Sequence, residues 1–303
     1  MRIDSILASE EPCFSFEFFP PKTAEGVVAL FETIEILRGL EPAFVSVTYG
    51  AGGATRDGTV ELATRIKAGQ GIETMAHLSC VGETSDGLAR ILDRMQAGGI
   101  ENVLALRGDP PRGEGDFRAP EGGLSSATEL AAYISERYDF AIGGACFPEV
   151  HPEAATPEAD LAYLKTKVDS GASFLITQLF FDNRAYFDLV AAARERGIEV
   201  PIVPGVMPIR SYEQIVRFCE TCQASIPPSL AAAMEALEGD QAAEAELGIA
   251  FATRQCEELL AGGAPGVHFY TLNQAPVTRA VLAALRVARP WERAPSRATA
   301  AAR

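Results

Sequence analysis

Eight short apolar segments, separated by stretches with helical periodicity, constrain the fold of this chain more than any other feature. In the first helical stretch, 24–37, apolar residues recur every three or four positions, which is typical of an amphipathic helix. Similar patterns follow at 125–137, 157–170, 184–196 and 211–222. The apolar segments have the length of strands, and they lie at 13–19, 44–49, 74–80, 102–106, 140–146, 174–178, 200–205 and 267–271.

Several of these segments are apolar almost throughout instead of alternating, as at 44–47 and 174–176. Strands of this kind are buried on both faces, which is typical of parallel sheets covered by helices. Eight strand–helix units of about 30 residues each favour an α/β fold, a single (β/α)8 TIM barrel. An open doubly wound sheet is the alternative, but the sequence lacks the glycine-rich dinucleotide fingerprint expected after its first strand.

The long interval before the eighth strand is an irregularity in this alternation. It contains an Ala- and Glu-rich stretch at 229–260, bounded by a Pro-Pro pair and a Gly-Gly pair, and this composition predicts extra helix. We therefore expect one catalytic barrel over 1–288, with additional helices before its last strand. The remaining 289–303 are basic and rich in Pro and Ala, and we expect them to form a disordered tail.

Charge and cysteine content exclude several classes of function. The 303 residues include 26 Lys and Arg against 41 Asp and Glu, which argues against nucleic acid as a partner. The N-terminus lacks a signal-peptide core and no apolar run reaches the ~18 residues of a membrane span, so we expect a cytoplasmic protein without a membrane partner. Cys219 and Cys222 form one C-x-x-C pattern on an apolar helix face, which favours a structural role over a metal site.

Polar residues stand at the carboxyl ends of most of the predicted strands. A barrel gathers these ends at one rim, so Glu17, His77 and Gln178 would line one cavity. Each also has an ordinary explanation: a neutralised carboxylate, a core histidine, or an amide that satisfies loop backbone. A buried unpaired carboxylate is costly, which makes Glu17 the strongest candidate for chemistry. The segment Arg107-Gly108-Asp109 follows the fourth strand and could line the same cavity. The alternative is a surface turn whose arginine and aspartate pair with each other.

These residues lie within longer motifs that resemble the methylenetetrahydrofolate reductase family. The first motif is FEFFPPK at 16–22, and LRGDPP follows at 106–111. Further motifs, in the order of the family, are VSVTYGA at 45–51, AHL at 76–78, PEVHPEA at 148–154, ITQLFFD at 176–182, PGVMP at 204–208 and HFYTLN at 268–273. Together they are highly specific, and the length of the chain is similar to that of the short bacterial form.

The resemblance implies a barrel that reduces 5,10-methylenetetrahydrofolate to 5-methyltetrahydrofolate with NADH or NADPH, in a ping-pong reaction through FAD. Glu17 matches the general acid, and its phenylalanine neighbours lead us to expect a raised pKa. Asp109 matches a carboxylate near the pterin and the flavin. The implied FAD contacts are Thr48, His77, Arg107, Gly108, Asp109, Ala127, Phe147, His151, Ala154, Asp160 and Lys167. The implied substrate contacts are Gln178, Gln214 and Gln274.

Within this set, Lys167 and Arg107 suit the pyrophosphate of FAD, and Asp160 suits a ribose hydroxyl. The chain departs from the usual family pattern at Phe147 and Ser126, where tyrosine is common, and at Gln274, where arginine is frequent. Two alternatives stay open: a member that takes electrons from a protein donor, and a folate-binding member that has lost FAD. The absence of a basic cluster for a 2′-phosphate favours NADH, and the resemblance also implies a homo-oligomer.

Overall fold

The computed structural model describes residues 1–49, 53–108 and 119–294, with the backbone alone at 53–57. Its parallel sheet contains β1 (Cys13–Phe18), β2 (Phe44–Val47), β3 (Thr74–Ser79), β4 (Asn102–Leu106), β5 (Ala141–Cys146), β6 (Phe174–Thr177), β7 (Ile202–Val203), β8 (Gly205–Val206) and β9 (Gly266–Tyr270). The helices are α1 (Ile3–Leu7), α2 (Ala24–Arg38), α3 (Gly53–Gln70), α4 (Ser85–Ala97), α5 (Ala127–Arg137), α6 (Pro157–Asp169), α7 (Asn183–Glu195), α8 (Tyr212–Cys222), α9 (Pro228–Glu235), α10 (Gln241–Ala261) and α11 (Pro276–Ala288). A 3-10 turn at Pro290–Arg293 follows α11.

The sheet forms a barrel although its seventh strand is in two pieces. The strand order is β7-β6-β5-β4-β3-β2-β1-β9-β8. β7 pairs with β6 and β8 pairs with β9. The segment 202–206 therefore pairs with the strand at each end of this order and closes the barrel. Pro204, between the two pieces, has no N–H to donate to a neighbouring strand, which explains why the single strand predicted over 200–205 is divided. The predicted (β/α)8 TIM barrel is confirmed.

The first strand shows how the two faces of the sheet are used. Side chains alternate along a strand, and Phe14, Phe16 and Phe18 point outward into the main apolar layer between strands and helices. Cys13 belongs to the separate apolar cluster inside the barrel. Glu17 has the same parity as Cys13 and therefore faces the interior.

Apolar residues close the interior at the N-terminal ends of the strands. The short helix α1, which no sequence pattern predicted, buries Ile3 and Leu7 against interior residues such as Phe44 and Phe174. Its position is held by a hydrogen bond of 2.7 Å from the Ile3 backbone N–H to Asn102 Oδ1. The polar part of the interior therefore lies toward the opposite rim, where the strands end.

The predicted extra helices before the last strand are confirmed as α9 and α10. They are separate because Gly239 adopts φ 90° and Asp240 then caps α10, its side chain accepting from the Ala243 N–H at 3.1 Å. The α10 residue Gly248 lies against the loop after β8, where a Cβ would approach Ile209 O to 2.1 Å. In the part of the chain that the structure describes, no helix combines the length and apolar character needed to cross a bilayer.

Candidate active site

Glu17 lies in a polar cluster in the upper half of the barrel interior. Its Oε2 atom lies 3.5 Å from His77 Nε2 and 3.5 Å from His268 Nε2. The register places Glu17 beside Ser46 of β2 and Tyr270 of β9. The Glu17 side chain is 19% exposed, whereas those of His77 and His268 are 6% and 1% exposed. The carboxyl is therefore the member of this trio that a ligand at the rim can reach.

The two histidines reverse the pKa shift that the neighbours of Glu17 in the sequence suggested. Burial raises the pKa of Glu17, but a hydrogen bond from His268 and the electrostatic effects of both histidines outweigh it and hold the pKa below its ordinary value. The expectation of a raised pKa is wrong for this structure, because Phe16 and Phe18 face the other side of β1. Burial lowers the pKa of His77 to about 4 against the opposing effect of Glu17, so this imidazole is neutral at pH 7.

His268 lies behind Glu17, fully buried, and had not been singled out as a site residue. Its Nδ1 atom lies 2.7 Å from Ser15 Oγ, and its Nε2 atom lies 3.3 Å from Ser46 Oγ. The ring stacks on Phe44 at a centroid distance of 5.9 Å. Strand parity was the available signal, because His268 pairs in register with Ser15 and both residues share the interior face with Glu17.

Four of the residues that match cofactor contacts are connected on the side of β4 and β5. Arg107 donates to both carboxylate oxygens of Glu153, at 2.5 and 2.7 Å. The Glu153 N–H donates to His151 Nδ1 at 3.1 Å, and the His151 N–H donates to Asp160 Oδ2 at 2.9 Å. The ring of Phe147 packs edge-on against His151 at 4.5 Å. Glu153 lies in the motif at 148–154 but was not predicted as a site residue; it joins this group and balances the charge of Arg107.

Lys167 brings a positive charge into the same region from α6. The residue is only 7% exposed, and its Nζ donates to the Ala145 carbonyl at 2.5 Å. Gly144 leaves room for its stem, since a Cβ there would lie 2.8 Å from Lys167 Cδ. Burial lowers the pKa of Lys167, and the attraction of Asp160 does not compensate. No ion pair found among the described residues includes Lys167, so its buried ammonium has no close counter-charge there.

The remaining positions that match cofactor contacts follow the ends of neighbouring strands. Thr48 comes directly after β2, and Ala154 lies in the loop between β5 and α6. Gly108 comes after β4 with φ 86°, and a Cβ at this position would lie 2.0 Å from Ser79 Oγ. Both observations require glycine at this turn. Asp109, the second residue assigned to catalysis, lies outside the described residues.

The structure shows the environments of the three residues that depart from the family pattern, Ser126, Phe147 and Gln274. Ser126 caps α5, because its side chain accepts from the Glu129 N–H at 3.1 Å. The next residue, Ala127, is buried at the start of that helix. Phe147 retains its ring contact without a hydroxyl group. Gln274 is exposed in the loop between β9 and α11.

In two of the residues that match substrate contacts, the side-chain amide oxygen already accepts a hydrogen bond from a nearby backbone N–H. Gln178 comes directly after β6, and its Oε1 accepts from the Leu179 N–H at 2.8 Å. Gln214 lies on α8, and its Oε1 accepts from the Arg210 N–H at 3.0 Å. The amide nitrogens are the groups that these contacts leave for a ligand. Gln178 therefore presents a donor at the rim that also holds Glu17.

Tyr270 spans the break in the seventh strand and lines the interior next to the histidine cluster. Its hydroxyl donates to Thr177 O at 2.5 Å, and burial raises its pKa well above the ordinary value. Gly205 makes this contact possible, since a Cβ there would lie 2.4 Å from Thr177 O and 2.5 Å from the Tyr270 hydroxyl oxygen. The Gly205 N–H in turn donates to Thr177 Oγ1 at 2.9 Å.

The C-x-x-C pattern lies in α8, and its two cysteines are not joined in a disulfide. Cys219 is buried, and burial raises its pKa to about 11, so it is a neutral thiol at pH 7. Within 1–49, 53–108 and 119–294, no group of three or more His, Cys, Asp and Glu side chains is arranged to hold a metal ion.

Comparison with known proteins assigns nearly the whole chain to one family. The family model described as "Methylenetetrahydrofolate reductase" matches residues 2–286. The Arabidopsis thaliana "Methylenetetrahydrofolate reductase (NADH) 1" is 43% identical over 283 residues, covering 90% of this chain and 48% of the plant protein. The Escherichia coli "5,10-methylenetetrahydrofolate reductase" is 39% identical over 273 residues, covering 90% of each chain. This chain thus spans about half the length of the plant relatives that it matches.

A solved structure from Clostridium thermocellum, of a protein that binds two copies of 5-methyl-5,6,7,8-tetrahydrofolic acid, superposes with a TM-score of 0.64. It covers 95% of this chain and 99% of its own, at 18% sequence identity, and therefore supports the fold alone. The family model and the Escherichia coli relative carry the assignment further. The chain belongs to the methylenetetrahydrofolate reductase family.

Proposed function

We propose that this protein reduces 5,10-methylenetetrahydrofolate to 5-methyltetrahydrofolate, with FAD as bound cofactor and NADH as electron source. The observation that carries the proposal is the partly exposed carboxyl of Glu17 at the barrel rim, in a chain whose family is named for this reaction. The names of the plant relatives include NADH, which favours NADH over NADPH. These small molecules are its partners, in a homo-oligomer.

Glu17 is the proposed general acid. Reduction of this folate opens a five-membered ring: a carbon–nitrogen bond breaks, its electron pair remains on the nitrogen, which takes a proton, and the carbon takes a hydride to become the methyl group. The O–H bond of Glu17 breaks as this N–H bond forms. A folate that covers the exposed part of Glu17 excludes water from the carboxyl and raises its pKa above the value in this structure. Glu17 then holds its proton where the reaction needs it.

The chemistry of the donor groups fits FAD. Lys167 is a buried ammonium without a close counter-charge among the described residues, and a pyrophosphate would supply that charge. His77 Nε2 is buried 3.5 Å from Glu17 Oε2 and has no hydrogen-bond partner in the described part of the chain, so it adds an unsatisfied polar atom to the site. When bound, FAD would supply a ring that accepts a hydride and passes it on. A member that had lost FAD would keep a costly isolated charge at Lys167, which disfavours that alternative.

Gln178 is the proposed contact for nicotinamide and folate in turn, in a ping-pong reaction. Its amide oxygen is engaged by Leu179, so we propose that the amide nitrogen donates to both ligands. The nicotinamide carboxamide and the pterin ring each carry a carbonyl oxygen that accepts such a bond. In this arrangement the amide donates to each ligand in turn and does not donate to one and accept from the other.

Anaerobic spectroscopy of the purified protein tests the proposal. We expect flavin absorption bands that NADH bleaches and that 5,10-methylenetetrahydrofolate then restores, with 5-methyltetrahydrofolate as product. A protein purified without flavin bands and unable to bind added FAD would contradict the cofactor. Bleaching without restoration by the folate would contradict the substrate. If neither NADH nor NADPH bleaches the flavin but dithionite-reduced protein turns over the folate, a protein electron donor takes the place of NADH.

A further inference from the structure

We propose that His268 is a positioning residue for Glu17 and that Ser15 selects the imidazole tautomer in which it acts. This inference rests on the proposed function, because it gives Glu17 the role of acid. The contacts lie on the β1–β9 seam, where Ser15 pairs with His268 and Glu17 pairs with Tyr270. None of the family motifs assigned His268 a role.

The hydrogen bonds of the His268 ring determine which of its two nitrogens carries the proton. Ser15 and His268 are both fully buried, and Ser15 Oγ lies 2.7 Å from His268 Nδ1. The Ser15 hydroxyl proton needs an acceptor, and Nδ1 is the acceptor that the described residues place within its reach. Ser15 therefore donates to Nδ1, and the ring proton is on Nε2. That N–H faces Glu17 Oε2 at 3.5 Å and Ser46 Oγ at 3.3 Å.

The contact acts on the carboxylate that remains after Glu17 has given up its proton. A hydrogen bond to the charged form of a carboxyl group favours that form, so the Nε2–H strengthens Glu17 as an acid and limits the orientations of its carboxyl group. Two other titratable groups face the pair: His77 from β3, at 3.5 Å from Glu17 Oε2, and Tyr270 from β9, edge-on to His268 at 5.5 Å. Tyr270 has its hydroxyl bonded to Thr177, which leaves the histidines as the titratable groups that contact the Glu17 carboxyl; Ser46 also donates to it.

Two substitutions of His268 separate the donor from the bulk of the ring. Gln places its amide nitrogen near the position of Nε2 and keeps a donor for Glu17, whereas Asn reaches only the position of Nδ1. Single-turnover rates of the folate half-reaction are to be measured against pH with reduced protein. We expect His268→Asn to lose about 10- to 100-fold, the scale of a hydrogen bond to a charged group, and His268→Gln to regain most of this loss.

The pH profile provides a readout that a purely structural role would not change. The rate falls as pH rises through the pKa of the acid, and losing the donor raises that pKa. In His268→Asn the falling limb should therefore move to higher pH by about one unit, while in His268→Gln it stays near the wild-type position. Ser15→Ala should shift the limb in the same direction by less, and Thr74→Val, a buried hydroxyl on β3 bonded to Ile72 O, should not shift it.

Each outcome decides the question. Equal losses in the Gln and Asn variants with an unmoved limb would overturn the positioning role, as would no loss in either. Wild-type protein that fails the folate half-reaction would overturn the proposed function and this inference together. Flavin content and melting temperature identify variants that do not fold. Nitrogen-15 NMR of the His268 ring adds a test independent of turnover: a protonated Nε2 is expected, and a protonated Nδ1 with a bare Nε2 contradicts the inference.

Discussion

The guanidinium of Arg107 and the carboxylate of Glu153 form a paired ion bridge at the barrel rim, with N–O distances of 2.5 and 2.7 Å. The hydrogen bonds and charge of Arg107 hold the pKa of Glu153 below its ordinary value. The side chains are 27% and 59% exposed, so solvent screens the bridge and its net contribution is small. A pyrophosphate that binds Arg107 therefore has to share the guanidinium with a carboxylate already in place.

Glu153→Gln should strengthen FAD binding to apoprotein, because it removes this competing charge. Exposed pairs contribute about 0.2–1 kcal/mol, which corresponds to roughly 1.4- to 5-fold in affinity. Titration of apoprotein by flavin fluorescence at low salt measures the change, and high salt should abolish it. Glu158→Gln, in the first turn of α6, is the matched control. Weaker binding of Glu153→Gln would show instead that Glu153 orients Arg107.

Glu17→Gln should abolish most folate reduction while the protein still accepts hydride from NADH. The NADH half-reaction needs no proton donor, whereas loss of a general acid reduces the folate half-reaction by about 10² to 10⁴. Stopped-flow measurement of each half-reaction distinguishes the two steps. Folate reduction at the wild-type rate would remove Glu17 from the role of acid.

Lys167→Met should affect FAD binding and apoprotein stability in opposite directions. FAD binding should weaken by about tenfold or more, because a charge-assisted bond of about 1.5–3 kcal/mol is lost. The apoprotein should become more stable, since an unpaired buried charge is removed. Fluorescence titration and thermal melting measure these two effects. The control is Lys165→Met, whose lysine is paired with Asp169 on the helix surface.

The pH dependence of apoprotein stability provides a further check on Lys167. Burial places its folded-state pKa below the ordinary value of 10.5, so the unfolded chain binds more protons between the two values. The buried charge of Lys167 destabilises the folded protein fully below its folded-state pKa. This cost decreases as pH rises through the window, so the stability of the apoprotein increases with pH there. Lys167→Met should remove this part of the slope, and an unchanged slope would contradict the buried charge.

Gln178→Ala should impair both half-reactions, in contrast to Glu17→Gln. One amide nitrogen that serves nicotinamide and folate in turn predicts parallel double-reciprocal lines for the wild-type protein and losses in both steps for the variant. Gln70→Ala, at the end of α3 and far from the rim, is the control. Intersecting lines would contradict a shared site, and a defect confined to the NADH step would exclude Gln178 from folate binding.

Gly205→Ala should destabilise the barrel. The new methyl group would lie 2.4 Å from Thr177 O and 2.5 Å from the Tyr270 hydroxyl oxygen, and forcing atoms into a packed site costs about 1–3 kcal/mol. Gly69→Ala is the matched control, since nothing lies within 4 Å of its Cβ position and alanine favours the helix by roughly 0.5–1 kcal/mol. Urea denaturation measures both changes, and equal stability of Gly205→Ala and wild type would contradict the close approach.

Much of the architecture was predictable because local patterns in the sequence specify it. Strands such as 102–106 and helices such as 157–170 follow from periodicity, and the Ala- and Glu-rich stretch before β9 predicted extra helix. Two features were not visible in this way. The five residues of α1 are too few to show a period, and the division of the seventh strand depends on which neighbours its two halves meet on either side of Pro204.

The sequence predicted which residues form the site better than it predicted the groups that surround them. The family motifs contain Glu17, Arg107, His268 and Glu153, yet they do not show that the shift in the pKa of Glu17 depends on His268 or that the charge of Arg107 is balanced by Glu153. Each of these pairs joins two different motifs, and only the fold brings them together. Adjacent phenylalanines suggested an apolar environment for Glu17 because sequence neighbours were taken as spatial neighbours, whereas alternation along β1 places them on opposite faces.

The pairing of β1 with β9 has a consequence for the order of folding. Ser15 and His268 are separated by 253 residues, so forming this seam closes the longest loop among the strand pairs and carries a large entropy cost. Strands β1 to β6 are each joined to the next by a single helical connection and can assemble from nearer contacts. Glu17 meets His268 only when the ring closes, so a chain that stalls short of that step would contain most of the sheet and no assembled acid.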